Sequence, residues 1–263
     1  LFPADGAVSI ELTDIKKTFH ADGAEPFTVL DGVTLTIPSG SSVGIIGRSG
    51  SGKSVTLKII TALLTSDAGS VRVKGVEVTT ASRRELYDIR RRIGFLFQGA
   101  ALFDSLNVLD NVGFSLREKG ELPPAEIDAI VVERLEDVGL KPEVRFKMPA
   151  DLSGGMKKRV ALARVLAMNP EYVLYDEPTT GLDPITADAI NDLIIETREK
   201  FGVTSIVVTH DMASAFKTAD TIAMLYKGRV IETGTPEEIL RTENPYVRQF
   251  VQGSSKGPIP ILE

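Results

Sequence analysis

Gly47-Arg48-Ser49-Gly50-Ser51-Gly52-Lys53-Ser54 is the stretch that most narrows what this 263-residue chain can fold into. It fits G-x-x-x-x-G-K-[ST] and lies between a continuous apolar run, Ser42-Val43-Gly44-Ile45-Ile46, and a segment of helical character, Val55 to Leu64. A short apolar run of that kind suits a strand covered on both faces, as in a parallel sheet. The glycines let the backbone curl until successive N–H groups face one centre. The positive end of the following helix adds to the field there, and Lys53 can reach the outer phosphates of a nucleotide. Ser54 is then a Mg²⁺ ligand. A Gly/Ser-rich turn that merely contains a lysine would explain neither the strand before it nor the helix after it.

The remaining sequence supplies the sheet that such a loop needs. Val8-Ser9-Ile10-Glu11-Leu12 and Val33-Thr34-Leu35-Thr36-Ile37 alternate at period two, which predicts a small sheet before Pro38-Ser39-Gly40 breaks the run. Ser70 to Val76 returns to that alternation. Tyr172-Val173-Leu174-Tyr175 and Ser205-Ile206-Val207-Val208 predict two further buried strands separated by a helix over Ile185 to Lys200, an order that requires a right-handed crossover. Between about Gly99 and Ala150 the texture changes to charged helical segments such as Pro124 to Val138, which predicts an inserted helical subdomain. Residues 241–263 carry Pro245, Gly253, Gly257, Pro258 and Pro260, so one short helix around Tyr246 to Val251 and then an extended tail are predicted.

Composition removes several classes of function. With 43% hydrophobic and 25% charged residues the chain is globular rather than disordered. The lack of cysteine excludes a disulfide framework, a thiolate nucleophile and any Cys-based metal site, and fits a reducing compartment. Lys+Arg 30 against Asp+Glu 36 gives a net charge of -6. That balance works against general attraction to phosphate backbones, so no nucleic acid is expected as a partner, although a local basic patch stays open. The longest apolar runs fall far short of the roughly 18 residues that a membrane-spanning helix needs. Leu1 to Gly6 have neither the charged start nor the apolar centre of a signal peptide, so nothing directs export, and the missing initial Met suggests a trimmed start.

Two further stretches carry chemistry. Asp176-Glu177 directly follows the apolar run Tyr172 to Tyr175, at the carboxyl end of a predicted parallel strand, where open α/β sheets bind ligands. Asp176 can hold Mg²⁺, and Glu177 has the length to polarise a water attacking a γ-phosphate. Without the phosphate loop the pair would read as a solvated strand-end cap ahead of Pro178. Leu152-Ser153-Gly154-Gly155-Met156 precedes a helical run from Lys157 to Ala167 and makes a second glycine-containing helix start able to bind an anion. An ordinary N-cap by Ser153 explains it equally well.

Taken in order, these residues closely resemble the nucleotide-binding subunits of ATP-binding-cassette transporters, over about residues 8 to 240. Gly47 to Ser54 matches the phosphate loop, Leu152-Ser153-Gly154-Gly155 the family signature, and Asp176-Glu177 the second strand motif. Gly181-Leu182-Asp183 is similar to the D-loop, Gln98 to the Q-loop glutamine and His210 to the switch histidine. Phe19 stands where an aromatic stacks on adenine. The resemblance implies an α/β fold: a P-loop NTPase (RecA-like) core with an N-terminal antiparallel β subdomain and an inserted α-helical subdomain at about residues 99–163. Residues 1–240 would form the ATPase domain and 241–263 a C-terminal extension. It also implies a head-to-tail homodimer in which the phosphate loop of one copy and Ser153, Gly154 and Gly155 of the other sandwich each ATP. Glu177 would be the catalytic base, and His210 would hold the γ-phosphate and attacking water. Ser54, Gln98 and Asp176 would serve Mg²⁺, with Gln98 reporting to a membrane partner. Two departures stand out: Met156 replaces the glutamine that usually closes the signature, and Val55 replaces a second hydroxyl residue after Ser54. Binding and hydrolysis are expected to survive both.

Met156 with Lys157-Lys158-Arg159-Val160-Ala161-Leu162-Ala163-Arg164, the run Phe97-Gln98-Gly99-Ala100-Ala101-Leu102-Phe103, and the tail Val247 to Gly253 with Gly257-Pro258-Ile259-Pro260 are similar to one branch, the Mla or Mce-associated ATPases. That branch implies phospholipid movement between inner and outer membranes, permease subunits of the Mla/MlaE type, a substrate-binding Mce-domain protein and a small accessory subunit. It places the chain on the cytoplasmic face of a bacterial inner membrane. Tyr246, Val247, Phe250 and Val251 put an apolar stripe on one helical face. That stripe packs either on its own domain or on another chain, and contact with a partner subunit is the expectation, since a tail without internal hydrogen bonds needs an external surface to order it. The competing readings are the ATPase of another importer, for example of amino acids, a soluble ATP-gated clamp, and a phosphate-loop kinase. The clamp expects tandem cassettes and a basic groove; the kinase gives no reason for Ser153-Gly154-Gly155.

Overall fold

The computed structural model describes residues 8–20, 23 and 25–260. The chain runs β1 (Val8–Phe19), β2 (Phe27–Pro38), β3 (Ser42–Ile46), α1 (Lys53–Ile60), β4 (Ala68–Val73), β5 (Val76–Glu77) and α2 (Arg83–Arg92). It continues through β6 (Ile93–Leu96), α3 (Val108–Lys119), α4 (Pro124–Asp137), two 3₁₀ turns at Pro142–Phe146 and Pro149–Asp151, α5 (Gly154–Leu166), β7 (Tyr172–Asp176) and α6 (Pro184–Phe201). The last elements are β8 (Thr204–Thr209), α7 (Met212–Thr218), β9 (Thr221–Tyr226), β10 (Arg229–Gly234), α8 (Pro236–Leu240) and α9 (Pro245–Val251). Packing divides them into two units, Leu1–Ile89 with Thr204–Glu263, and Arg90–Val203.

In the first unit an antiparallel sheet of order β2-β1-β4-β5 grows from the two alternating stretches. Pairing of Ile10 with Ile37 and Leu12 with Leu35 puts all four on one buried face, which is the reason for the period of two. The phosphate loop hangs from the other sheet. There β3 pairs in parallel with β8 on one side and β9 on the other, and every residue of β3 and β8 is buried, so no polar face is needed.

Two expectations change. Ser70 to Val76 is a hairpin rather than one strand. Lys74 and Gly75 take φ of 50° and 76°, which turns β4 back onto β5. The helix after the loop begins at Lys53 and stops at Ile60, because Ala62 adopts φ 52°.

The tail packs on its own unit. Val247 and Ile259 join Ile46, Ala215, Ile222, Met224 and Ile239 in one buried cluster, with Phe250 and Val251 against it. Its hydrogen bonds are internal too. Gln249, itself buried, acts as a strand partner: its Oε1 accepts the Ile259 N–H at 2.7 Å, and its Nε2 donates to the carbonyls of Ile259 at 3.1 Å and Ser254 at 3.2 Å. The premise that the tail lacks internal hydrogen bonds is therefore corrected, and most of its apolar stripe is covered by this chain. Ile261 and Leu262, like Leu1 to Gly6, lie outside the described residues. Gln249→Ala should lower stability by about 1–3 kcal/mol and the melting temperature by about 2–4 °C for each of those. Trypsin should then cut faster after the exposed Lys256; unchanged melting and unchanged cleavage would contradict this role.

In the second unit β6 and β7 pair in parallel, Ile93 with Tyr172 through Leu96 with Tyr175. Gly94 permits α5 to lie close, since a Cβ there would come within 2.1 Å of Val165 Cγ1. Helices α3, α4 and α5 pack on one another. Asn111, fully buried, fixes the loop before α3: its Oδ1 accepts the Phe103 N–H at 2.8 Å, and its Nδ2 donates to the carbonyls of Phe103, Leu106 and Asn107. At the other end Asp137 of α4 takes Arg134 and Lys200 as ion-pair partners.

Candidate active site

The phosphate loop closes tightly over the edge of the first unit. Gly47 has φ 155°, and a Cβ on it would meet the Leu225 carbonyl oxygen at 2.4 Å; Gly52 has φ 102°, with Leu30 at 2.5 Å from the same imagined atom. Only glycine fits either place. Lys53 is 5% exposed, and its ammonium donates to the carbonyls of Gly47 at 2.7 Å and Arg48 at 3.0 Å. Gly52 caps α1 without a side chain. The Ser51 hydroxyl oxygen is buried and has no hydrogen-bond partner among the described residues. A cavity of about 570 Å³ opens here, lined by Arg48, Ser49, Gly50 and Ser51 and by Phe27–Val29 and Tyr226–Gly228. Phe19 is 40% exposed at the end of β1 and stands opposite Phe27 on β2, so it is no core residue; Phe27, which the sequence did not single out, lines the cavity. His210 is exposed immediately after β8.

In the second unit Asp176 ends β7 and Glu177 follows, both nearly buried. Glu177 has φ 51°, a left-handed conformation that a residue with a Cβ seldom adopts. Its carboxylate Oε2 accepts the Thr180 hydroxyl at 2.7 Å. Lys158 of α5, 6% exposed, donates to the carbonyls of Gln98 and of Glu177. Burial pulls the Lys158 ammonium below the ordinary lysine value, and the carboxylates of Asp176 and Glu177 push it back up. Gln98 itself is exposed in the turn after β6.

The signature starts α5. Ser153 is its N-cap, its hydroxyl accepting the Met156 N–H at 3.3 Å, so the capping role is real; that bond uses a lone pair and leaves the O–H as a donor. Gly155 is buried, and a Cβ there would meet Thr186 Cγ2 at 2.6 Å, so the second glycine also lets α5 start against α6. The predicted helix from Lys157 thus begins three residues earlier, at Gly154. Asp183 caps α6, accepting the N–H groups of Ile185 and Thr186 and the Thr186 hydroxyl at 2.6 Å; the Thr186 bonds hold its carboxyl below the usual range.

Sequence reading missed Lys158, Arg164 and Asn111. All three act on backbone carbonyls of the Gln98 loop, and Arg164 donates to Ala100 O at 3.1 Å and Ala101 O at 2.8 Å. Bonds to backbone oxygen leave no partner residue to find in a sequence.

A family profile described as "ABC transporter" matches residues 30–180. The chain belongs to that family. As an ABC ATPase subunit it binds ATP and hydrolyses it in the service of transport. Among curated relatives it is 40% identical over 97% of its length to the "Probable ribonucleotide transport ATP-binding protein mkl" of Mycobacterium tuberculosis, covering 70% of that protein. It is 38% identical over 89% of its length to the "Intermembrane phospholipid transport system ATP-binding protein MlaF" of Escherichia coli, covering 86% of it. Among solved structures, the dimeric ATP-binding cassette MJ0796 in a post-hydrolysis state with ADP and Pi matches at a TM-score of 0.80 and 36% identity, over 86% of this ABC subunit and 98% of that chain.

Proposed function

We propose that two copies of this ABC subunit close on two ATP molecules, each held by the phosphate loop of one copy and the Ser153–Gly155 helix start of the other. The observation that carries this reading is that one chain has two glycine-containing helix starts, at α1 and α5, where one nucleotide needs only one phosphate loop. The dimeric state named for the MJ0796 cassette supports it. Gly47 to Ser54 cradles the phosphates, and the buried Ser51 hydroxyl, which has no partner among the described residues, is free to bond a phosphate oxygen. Phe19 stacks on the base and Asp183 belongs to the facing surface. Glu177 takes the proton of the attacking water while His210 steadies the γ-phosphate.

Mg²⁺ fits the donors available. Ser54, Gln98 and Asp176 offer a hydroxyl, an amide oxygen and one carboxylate, all oxygen, which suits an ion that keeps waters and leans on substrate phosphates. No cluster of three or more metal-binding side chains is found among the described residues, and such a site needs none. When bound, the ion would neutralise charge on the β- and γ-phosphate oxygens.

The cargo we assign is phospholipid, moved between inner and outer membranes, on the strength of the MlaF relatives in Escherichia coli and Haemophilus influenzae. Permease subunits of the Mla/MlaE type, an Mce-domain protein and a small accessory subunit would complete the assembly on the cytoplasmic face of a bacterial inner membrane. No helix among the described residues is long and apolar enough to cross a membrane. We assign residues 1–240 to the ATPase domain, with about 99–163 as its helical insert. The outward side of residues 241–263 remains for a partner subunit. A ribonucleotide cargo is the second reading, because of the name borne by the mkl relatives. Lipid extraction and mass spectrometry of the complex purified with its permease, alongside ATPase assays in vesicles with and without added ribonucleotide, separate the two. Bound phospholipid and no ribonucleotide stimulation are expected; the reverse overturns the assignment.

A further inference from the structure

We infer that Lys158 is a positioning residue for hydrolysis: its ammonium ties the Gln98 loop to the backbone of Glu177 and so holds the catalytic carboxylate in its working conformation. The inference rests on the assignment of Glu177 as the base.

The left-handed backbone at Glu177 persists only if its surroundings hold it. Lys158 takes the Glu177 carbonyl at 3.4 Å, the Thr180 N–H approaches the same oxygen at 3.3 Å, and the Thr180 hydroxyl takes the carboxylate. At its other contact Lys158 takes the Gln98 carbonyl. That loop is itself in a disfavoured shape, with Ala100 at φ 62° and Ala101 at φ 49°, and Arg164, six residues further along α5, holds both of their carbonyls. One helix thus grips two strained segments with two basic side chains, and the signature serine caps the start of that helix. A buried ammonium is costly unless its donors are used, and a methionine would fill the same space without that cost. The cation makes sense where carbonyl oxygens and neighbouring carboxylates need one. Movement at the Gln98 loop or at the start of α5 therefore reaches Glu177 through Lys158 directly.

The test compares Lys158→Met, Lys158→Gln and Lys158→Arg in the full chain, with Glu177→Gln alongside. Lys158→Met should lower kcat about 10- to 100-fold, the range for losing charge-assisted hydrogen bonds, with KM for ATP and the affinity for a fluorescent ATP analogue unchanged within about threefold. Lys158→Arg, which keeps donors and charge, should recover most of the loss, and Lys158→Gln should fall between. A Lys158→Met kcat within about threefold of native, an arginine variant no better than methionine, or a KM that rises as kcat falls overturns the inference. If the methionine variant does not fold, the arginine and glutamine pair decides by the same split. Turnover retained in Glu177→Gln removes the base assignment and this inference with it. Turnover lost there but intact in Lys158→Met removes this inference alone.

Discussion

Glu177→Gln should slow ATP hydrolysis by about 10²- to 10⁴-fold, the usual worth of a positioned base, while ATP still binds. Glutamine has nearly the same shape and keeps an oxygen for the Thr180 hydroxyl, so the left-handed turn after β7 should stand. What is lost is the ability to take a proton from water. Because closure of the pair would be driven by bound ATP and undone by its cleavage, the variant should accumulate as an ATP-bound dimer. Light scattering with and without ATP, next to a phosphate-release assay, measures both effects. Turnover at the native rate would remove Glu177 from its role, and a monomer with ATP bound would count against the shared site.

Lys53→Ala should act one step earlier, on binding itself. A buried ammonium bonded to phosphate is worth about 1.5–3 kcal/mol, so affinity for ATP should fall about 10- to 150-fold. Lys53 donates to the carbonyls of Gly47 and Arg48, which already supply the negative ends that a phosphate would replace. The alanine variant therefore also loosens the loop rim, and Lys53→Met, which keeps the stem, separates that from the charge. Titration with a fluorescent nucleotide reads the affinity, and melting without nucleotide reads the loop. Equal affinity in native and methionine proteins would sink the assignment.

Much of this was legible in the sequence because the responsible physics is local. Ser42 to Ile46 is apolar throughout because β3 is covered on both faces, and its bounds follow from Gly40 and Gly47. The phosphate loop announces itself through glycines that no other residue could replace at Gly47 and Gly52. Period-two alternation misled at Lys74-Gly75, since a two-residue turn preserves the alternating pattern of the strands it joins. Helix α2 buries only Ile89, and β6 is four residues long beside Arg90-Arg91-Arg92, so neither produced a periodic signal. The tail's internal hydrogen bonds were illegible for a different reason. They run largely through one side chain, Gln249, ten residues before Ile259, and nothing in composition marks a glutamine that replaces a strand.

Arg48 donates from the phosphate loop to the carbonyl of Pro260 at 2.7 Å, across 212 positions of sequence. The stretch that follows α9 is thereby moored at the rim of that loop, where an incoming nucleotide would have to pass. A bulky label placed beside Pro260 would crowd that rim, and kinetics gathered with it would report the appendage along with the enzyme.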